Sequence, residues 1–221
     1  MDTFSYRKLV LGILVSGAFA VSSHAAMMTL ELDANINGAP SSVGSLTATF
    51  TDAPPGQNGV FLELDTSNLA ANEKVQSWYF NLDPALNPGS LIFSQTNKIG
   101  SFSNPTISKS GNEIPPGGGP SFDFKFTFST AGPPNSFSGG ESVRYFISGI
   151  SGLNVDSFNV HSFFNGVGYS SAAHVQENPS GRGGATLVSV PEPGHAIFGA
   201  LLLGGLVWIE RGRIRAWMRT R

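Results

Sequence analysis

Ser121-Phe122-Asp123-Phe124-Lys125-Phe126-Thr127-Phe128-Ser129 decides the fold class. Phenylalanine recurs at every second position. An extended strand therefore puts Phe122, Phe124, Phe126 and Phe128 on one face and Asp123, Lys125 and Thr127 on the other. A helix would scatter the four rings around its circumference. Each ring contributes roughly 1.5–3 kcal/mol when fully buried, so the segment is expected to anchor a core.

The same period of two recurs on both sides of it, in Met28–Asn35, Ser45–Thr51, Glu141–Ile150 and Asn154–Phe164, and Val75–Leu82 is rich in aromatic and β-forming residues. Met28–Asn35, Ser45–Thr51, Val60–Leu64, Val75–Leu82, Ser90–Ser94, Glu141–Ile150, Asn154–Phe164, Ala172–Gln176 and Ala185–Val190 all read as strands. Turn chemistry separates them: Asn37-Gly38, Pro54-Pro55-Gly56, Asp83-Pro84, Asn112–Pro120, Gly132-Pro133-Pro134, Gly139-Gly140 and the Gly-rich stretch Asn178–Gly184. Ser67–Lys74, with Leu-Ala-Ala-Asn-Glu, is expected to form a turn of helix or an irregular element. Nine or ten short strands joined by Gly/Pro turns point to an all-β fold, an antiparallel β-sandwich or jelly roll.

Composition bounds the function. The chain has 221 residues and no cysteine, which excludes a disulfide framework, a thiolate metal site and a cysteine nucleophile. Between Ala26 and Pro193 there are six basic and thirteen acidic residues, a net charge of −7. An acidic body does not suit nucleic acid, whose binding rests on neutralising phosphates.

Each chemical motif has a plainer explanation. Asp33-Ala34-Asn35-Ile36-Asn37-Gly38 matches the first half of an EF-hand loop, but the twelfth position is Gly44 where a bidentate Glu is needed. The flanks also alternate like strands, so a hairpin turn is expected there. His161 and His174, with Asp156 and Glu177 nearby, lack the spacing of a zinc site and read as polar strand or turn residues. Gly149-Ile150-Ser151-Gly152 lacks the spacing of a nucleophile elbow. Neither Gly117-Gly118-Gly119 nor Gly183-Gly184 carries the lysine and helix of a phosphate loop. Alternation places Trp78 and Phe80 in the core, with Tyr79 facing the opposite way. No catalytic, cofactor-binding or metal-binding residue is singled out, and a protein that is not an enzyme is expected.

The two ends carry sorting information. Arg7 and Lys8, the apolar run Leu9–Val21 and the small residues up to Ala25 and Ala26 form a secretory signal peptide, residues 1–25. Ser23 and Ala25 suit cleavage after Ala25, leaving a domain over residues 27–190. At the other end stand Val190-Pro191-Glu192-Pro193, fourteen uncharged residues Ala196–Ile209, and five arginines: Arg211, Arg213, Arg215, Arg219 and Arg221. The prolines deny backbone donors, so a helix begins only near Pro193. Fourteen residues give about 21 Å of helix against a hydrocarbon core of about 30 Å. Interfacial Trp208 and Trp217 and snorkelling arginines extend that span into one short transmembrane helix. The positive tail is then expected inside the cell and the domain outside.

This ordered constellation over 190–221 resembles the PEP-CTERM sorting signal of exported Gram-negative proteins. Trp78–Pro84 and Ala172–Gln176 also look like segments of uncharacterised members of that group. The resemblance implies export by Sec, recognition of Pro191, Glu192 and Pro193 by the membrane enzyme exosortase, and lipid contact through 196–209. It also implies removal of the tail and residence at the cell surface or in an exopolysaccharide or biofilm matrix. Two alternatives stay open: a carbohydrate-binding module or polysaccharide-active enzyme on a sandwich, and a plain single-pass anchored protein.

Overall fold

The computed structural model describes residues 25–36, 44–116, 118–132, 134–177 and 184–190. The strands are β1 (Met27–Leu32), β2 (Ala34–Asn35), β3 (Leu46–Asp52), β4 (Val60–Asp65), β5 (Glu73–Phe80), β6 (Ile92–Ile99) and β7 (Thr106–Ser108). There follow β8 (Phe124–Thr127), β9 (Phe137–Ser138), β10 (Ser142–Ser148), β11 (Ser162–Phe164), β12 (Val167–Tyr169), β13 (Ser171–Glu177) and β14 (Ala185–Ser189). One sheet runs β1-β3-β4-β10-β6, the other β2-β14-β13-β5-β8-β7 with β9 also on β5. Every ladder between named strands is antiparallel. The chain is an all-β sandwich.

The two sheets meet on their alternate apolar residues. Leu30, Leu46, Phe50, Leu62, Tyr145 and Ile147 of the first sheet share one core with Val75, Trp78, Phe80, Phe124, Phe126 and Val175 of the second. Rings cross the gap: Phe50 stands edge-on to Phe80 at 5.6 Å, Phe93 lies 5.5 Å from both Phe124 and Phe126, and Phe126 lies 5.1 Å from Tyr145. Such pairs add about 0.5–1.5 kcal/mol each beyond the area they bury. Trp78 and Phe80 are core, as alternation predicts, and the Trp78 indole N–H is satisfied by the Ser171 hydroxyl at 3.1 Å. The segments Trp78–Pro84 and Ala172–Gln176 meet at their N-terminal ends across the β5–β13 ladder, with Tyr79 opposite Ala172 and Trp78 opposite Ala173.

Several expectations need correction. The four phenylalanines do not share a face. Phe124, Phe126 and Phe128 enter the main core, whereas Phe122 packs on the outer side of the second sheet against Tyr79, at 5.8 Å. Asp123 is the cause. Its carboxylate accepts from the Leu82 amide at 2.7 Å and its own amide donates to Phe80 O at 2.9 Å, which bends the strand and frees Phe122 to pair with Glu113. Met28–Asn35 is two strands, because the chain leaves the first sheet at Asp33 and enters the second at Ala34. Asn154–Phe164 is not one strand either: Val155–Phe158 is a 3-10 turn inside an Asn154/Ser157 capping box. Ser67–Lys74 takes the irregular of its two expected forms, turns that run into β5.

The carboxylates do structural work in a chain with few charges. Asp52, Asp65 and Asp83 accept backbone amides of Val155, Ser67 and Ala85. Glu73 takes Ala70 N at 2.8 Å, and Glu141 takes Ser138 N at 2.7 Å and Ser101 N at 3.0 Å. Such charge-assisted bonds are the stronger kind and fix turns that no disulfide holds.

Candidate functional site

The outer faces of the two sheets differ, and each produces a feature that could meet a ligand. The outer face of the first sheet is open. Thr47, Thr49 and Thr51 line β3, with the Thr29 hydroxyl 3.4 Å from that of Thr49. At the other side of this face, Phe61 of β4 and Phe146 of β10 stand opposite each other in register, their rings 5.2 Å apart and tilted by 47°. The Arg144 guanidinium lies over the Phe61 ring at 4.3 Å, a cation–π contact. Gln57, Asn58, Ser94 and Thr96 complete a shallow cleft around the rings.

Local sequence builds this cleft. Asn58 donates to Ile150 O and accepts from Gly152 N, both at 3.0 Å, and so ties the β3–β4 turn to the loop after β10. Gly59 leaves room for the Phe146 ring. A Cβ there would stand 2.6 Å from the ring and would collide with the Ile147 carbonyl. A floor of two rings with amides, hydroxyls and a guanidinium at its edges can stack against a flat apolar face and hydrogen-bond the groups around it.

The outer face of the second sheet is roofed. Tyr79, Phe122, Tyr169, Ala172 and Val188 form a second buried cluster, with Ala34 and Ile36 against it. The loop between β7 and β8 covers part of this face. Its Glu113 carboxylate pairs with Lys125 at 2.6 Å and accepts from the Ser108 and Ser110 hydroxyls. Burial alone would push Glu113 up, but the Lys125 ammonium and the two hydroxyls outweigh it and bring the carboxyl from about 4.5 down to about 2. His174 lies on the same face, buried, with Nδ1 3.3 Å from the Thr186 hydroxyl. Burial lowers its pKa below the ordinary histidine value.

The β11–β12 hairpin closes the other part. Asn165 and Gly166 at its tip both have positive φ, 51° and 79°, the geometry of a type I′ turn. Its base is fixed by buried Asn81, which donates to Val160 O and Tyr169 O at 3.0 Å and accepts from the Ser162 hydroxyl at 2.6 Å.

His161 lines a hollow on the hairpin, and His174 is buried in β13. Among the described residues no group of three or more His, Asp or Glu side chains is placed to hold a metal ion. Asp33 and Asn35 flank a change of sheet between strands, while Asn37-Gly38 lies outside the described residues. Gly44 donates its amide to Glu73 at 3.4 Å. Ala25 and Ala26 are exposed, and Ala26 O accepts from Asp52 N at 2.9 Å. Pro191, Glu192, Pro193, the 196–209 segment and Arg211, Arg213, Arg215, Arg219 and Arg221 lie outside the described residues. Among those described, no helix is long and apolar enough to cross a membrane.

The chain matches no known family model, no curated protein and no solved structure. The Phe61–Phe146 cleft was missed in the sequence. The signal was there in two phenylalanines at polar-face positions, Phe61 between Val60 and Leu62 and Phe146 between Tyr145 and Ile147.

Proposed function

We propose that this is an exported, non-catalytic protein of the cell surface or extracellular matrix, sorted and trimmed at its C-terminus by exosortase. One observation carries the reading: a Pro-Glu-Pro break, a short apolar run and a cluster of arginines stand in fixed order over residues 190–221. The apolar run holds the chain in the bilayer, the arginines stop transfer, and the signal peptide sets the same orientation. Charge-poor strands and carboxylates committed to backbone amides suit a durable scaffold.

Mass spectrometry of the extracellular protein tests it. The expected mature C-terminus lies close to Pro191–Pro193; an intact Arg221 on the extracellular form overturns the processing. Replacing Pro191, Glu192 and Pro193 with alanines should mislocalise the protein, whereas a plain anchored protein would keep its place.

The Phe61–Phe146 cleft favours a second property on the same scaffold, binding of a polysaccharide. A sugar ring offers an apolar C–H face for stacking and hydroxyls at its rim, which the rings and the edge amides complement. A glycan array with the exported protein is the measurement. Retention that disappears in Phe61→Ala/Phe146→Ala supports the cleft, and retention unchanged in that variant removes it.

A further inference from the structure

The β11–β12 hairpin carries the two phenylalanines most open to solvent among the described residues: Phe163 is 75% exposed and Phe164 38%. Val167 beside them is 40% exposed, and Val190, the last described residue, 41%. These belong together. His161, Phe163, Gly166, Val167, Gly168 and Val190 line one shallow hollow. The Phe163 ring lies across Gly168, its partner in the ladder, where a Cβ would come within 3.3 Å of it. Asn81 holds the base of the hairpin to the sandwich from a buried position. A rigid base and a bare aromatic tip make a fixed protrusion.

What covers this tip is set by the chain that leaves it. Five residues, Pro191–His195, separate Val190 from the apolar run at Ala196. Fully extended, they reach about 17 Å. A bilayer-inserted 196–209 therefore holds the Val190 end of the domain against the membrane surface, and the tip with it. Aromatic and aliphatic side chains at that depth are stabilised in the boundary between headgroups and acyl chains.

We propose that Phe163, Phe164, Val167 and Val190 form the bilayer-facing surface of the domain and dip into the lipid interface while the tail is inserted. This rests on the membrane role of 196–209 given above. It fixes how the domain stands over the membrane and presents Pro191–Pro193 at a set height.

The chain has no cysteine, so single labels are clean. An environment-sensitive fluorophore is placed by Phe163→Cys, by Val167→Cys, by Thr49→Cys on the far sheet and by Leu203→Cys in the tail. Each full-length variant is reconstituted into phosphatidylethanolamine/phosphatidylglycerol vesicles containing doxyl-labelled lipid. The labels at 163 and 167 should be quenched several-fold more than that at 49, and more by shallow than by deep doxyl groups. The label at 203 should answer to deep groups. Quenching at 203 without quenching at 163 and 167 overturns the proposal and leaves the tail reading standing. A blue shift at 163 without quenching overturns it too, in favour of a second copy or another protein. Quenching at 163 and 167 but not at 203 overturns both, because the tip would then meet lipid with no inserted tail to hold it there. Silence at all three removes both.

Discussion

The two sheets pack the same kind of core between them but treat their outer faces in opposite ways. The first leaves threonines and an aromatic cleft open to solvent. The second lays a loop and a hairpin over Tyr79, Phe122 and Val188 and buries its outer face as well. The difference is visible along β5, where seven of eight residues are buried, against three of six along β4. A central strand covered on both sides cannot alternate apolar with polar, and this one does not. The open face keeps Phe61, Phe146 and its threonines half-exposed, whereas the roofed face buries Tyr79, Phe122 and Val188 under later parts of the chain.

Truncating one ring in each environment tests that division. Phe126→Ala, between the sheets, should cost about 3–5 kcal/mol. Phe122→Ala, under the roof, should cost about half of that, and Phe61→Ala, on the open face, less than about 1 kcal/mol. Urea denaturation of the three variants measures the order. A Phe122→Ala as mild as Phe61→Ala would mean that the roof adds no stability.

Acid should loosen the roofed face in two stages. His174 is held neutral in the fold, so its stabilisation is complete above the ordinary histidine value and is lost as pH falls below about 6.5. Glu113 is depressed, so its stabilisation is present above the ordinary carboxylate value and drains as pH falls from about 4.5 through about 2. A shift of that size corresponds to at most about 3 kcal/mol. Denaturation midpoints across this range should show both stages. His174→Asn should remove the first, and Glu113→Gln should remove the second while lowering stability at neutral pH.

The smallest effect concerns the inner face of the open sheet. The Tyr145 hydroxyl is buried there with no hydrogen-bond partner among the described residues, and burial pushes its pKa up. Tyr145→Phe removes an unsatisfied polar atom and should leave stability unchanged or raise it by up to about 1 kcal/mol, read from the same titrations.

Alternation made the fold class legible, because period two survives wherever one side of a strand is covered differently from the other. It failed where a single side chain redirected the backbone. Asp123 reads as an outward strand residue, yet its bond to the Leu82 amide turns Phe122 to the opposite side. Leu82 lies 41 positions away, beyond the reach of any window. Asp33 passes for one more alternating residue although the chain changes sheets there. The cleft was hidden for a related reason: Phe61 and Phe146 become neighbours only through the pairing of β4 with β10. The hairpin is absent from the sequence reading, which runs Asn154–Phe164 as one strand, although Asn165-Gly166 is hairpin-turn chemistry; the openness of Phe163 depends on what does not cover it.

The switch at Asp33 has a mechanical consequence. It delivers β2 to the edge of β14, where Val188 pairs with Ala34 and Leu187 with Asn35, so β14 is clamped by β2 on one side and β13 on the other. Any load arriving through Val190 runs along β14 before it reaches the rest of the domain. Pulled lengthwise, the hydrogen bonds on both flanks are strained together rather than opened one after another. β14 is thereby gripped by β2 from early in the described chain and by β13 from late in it, and tension applied at Val190 is shared across the sheet.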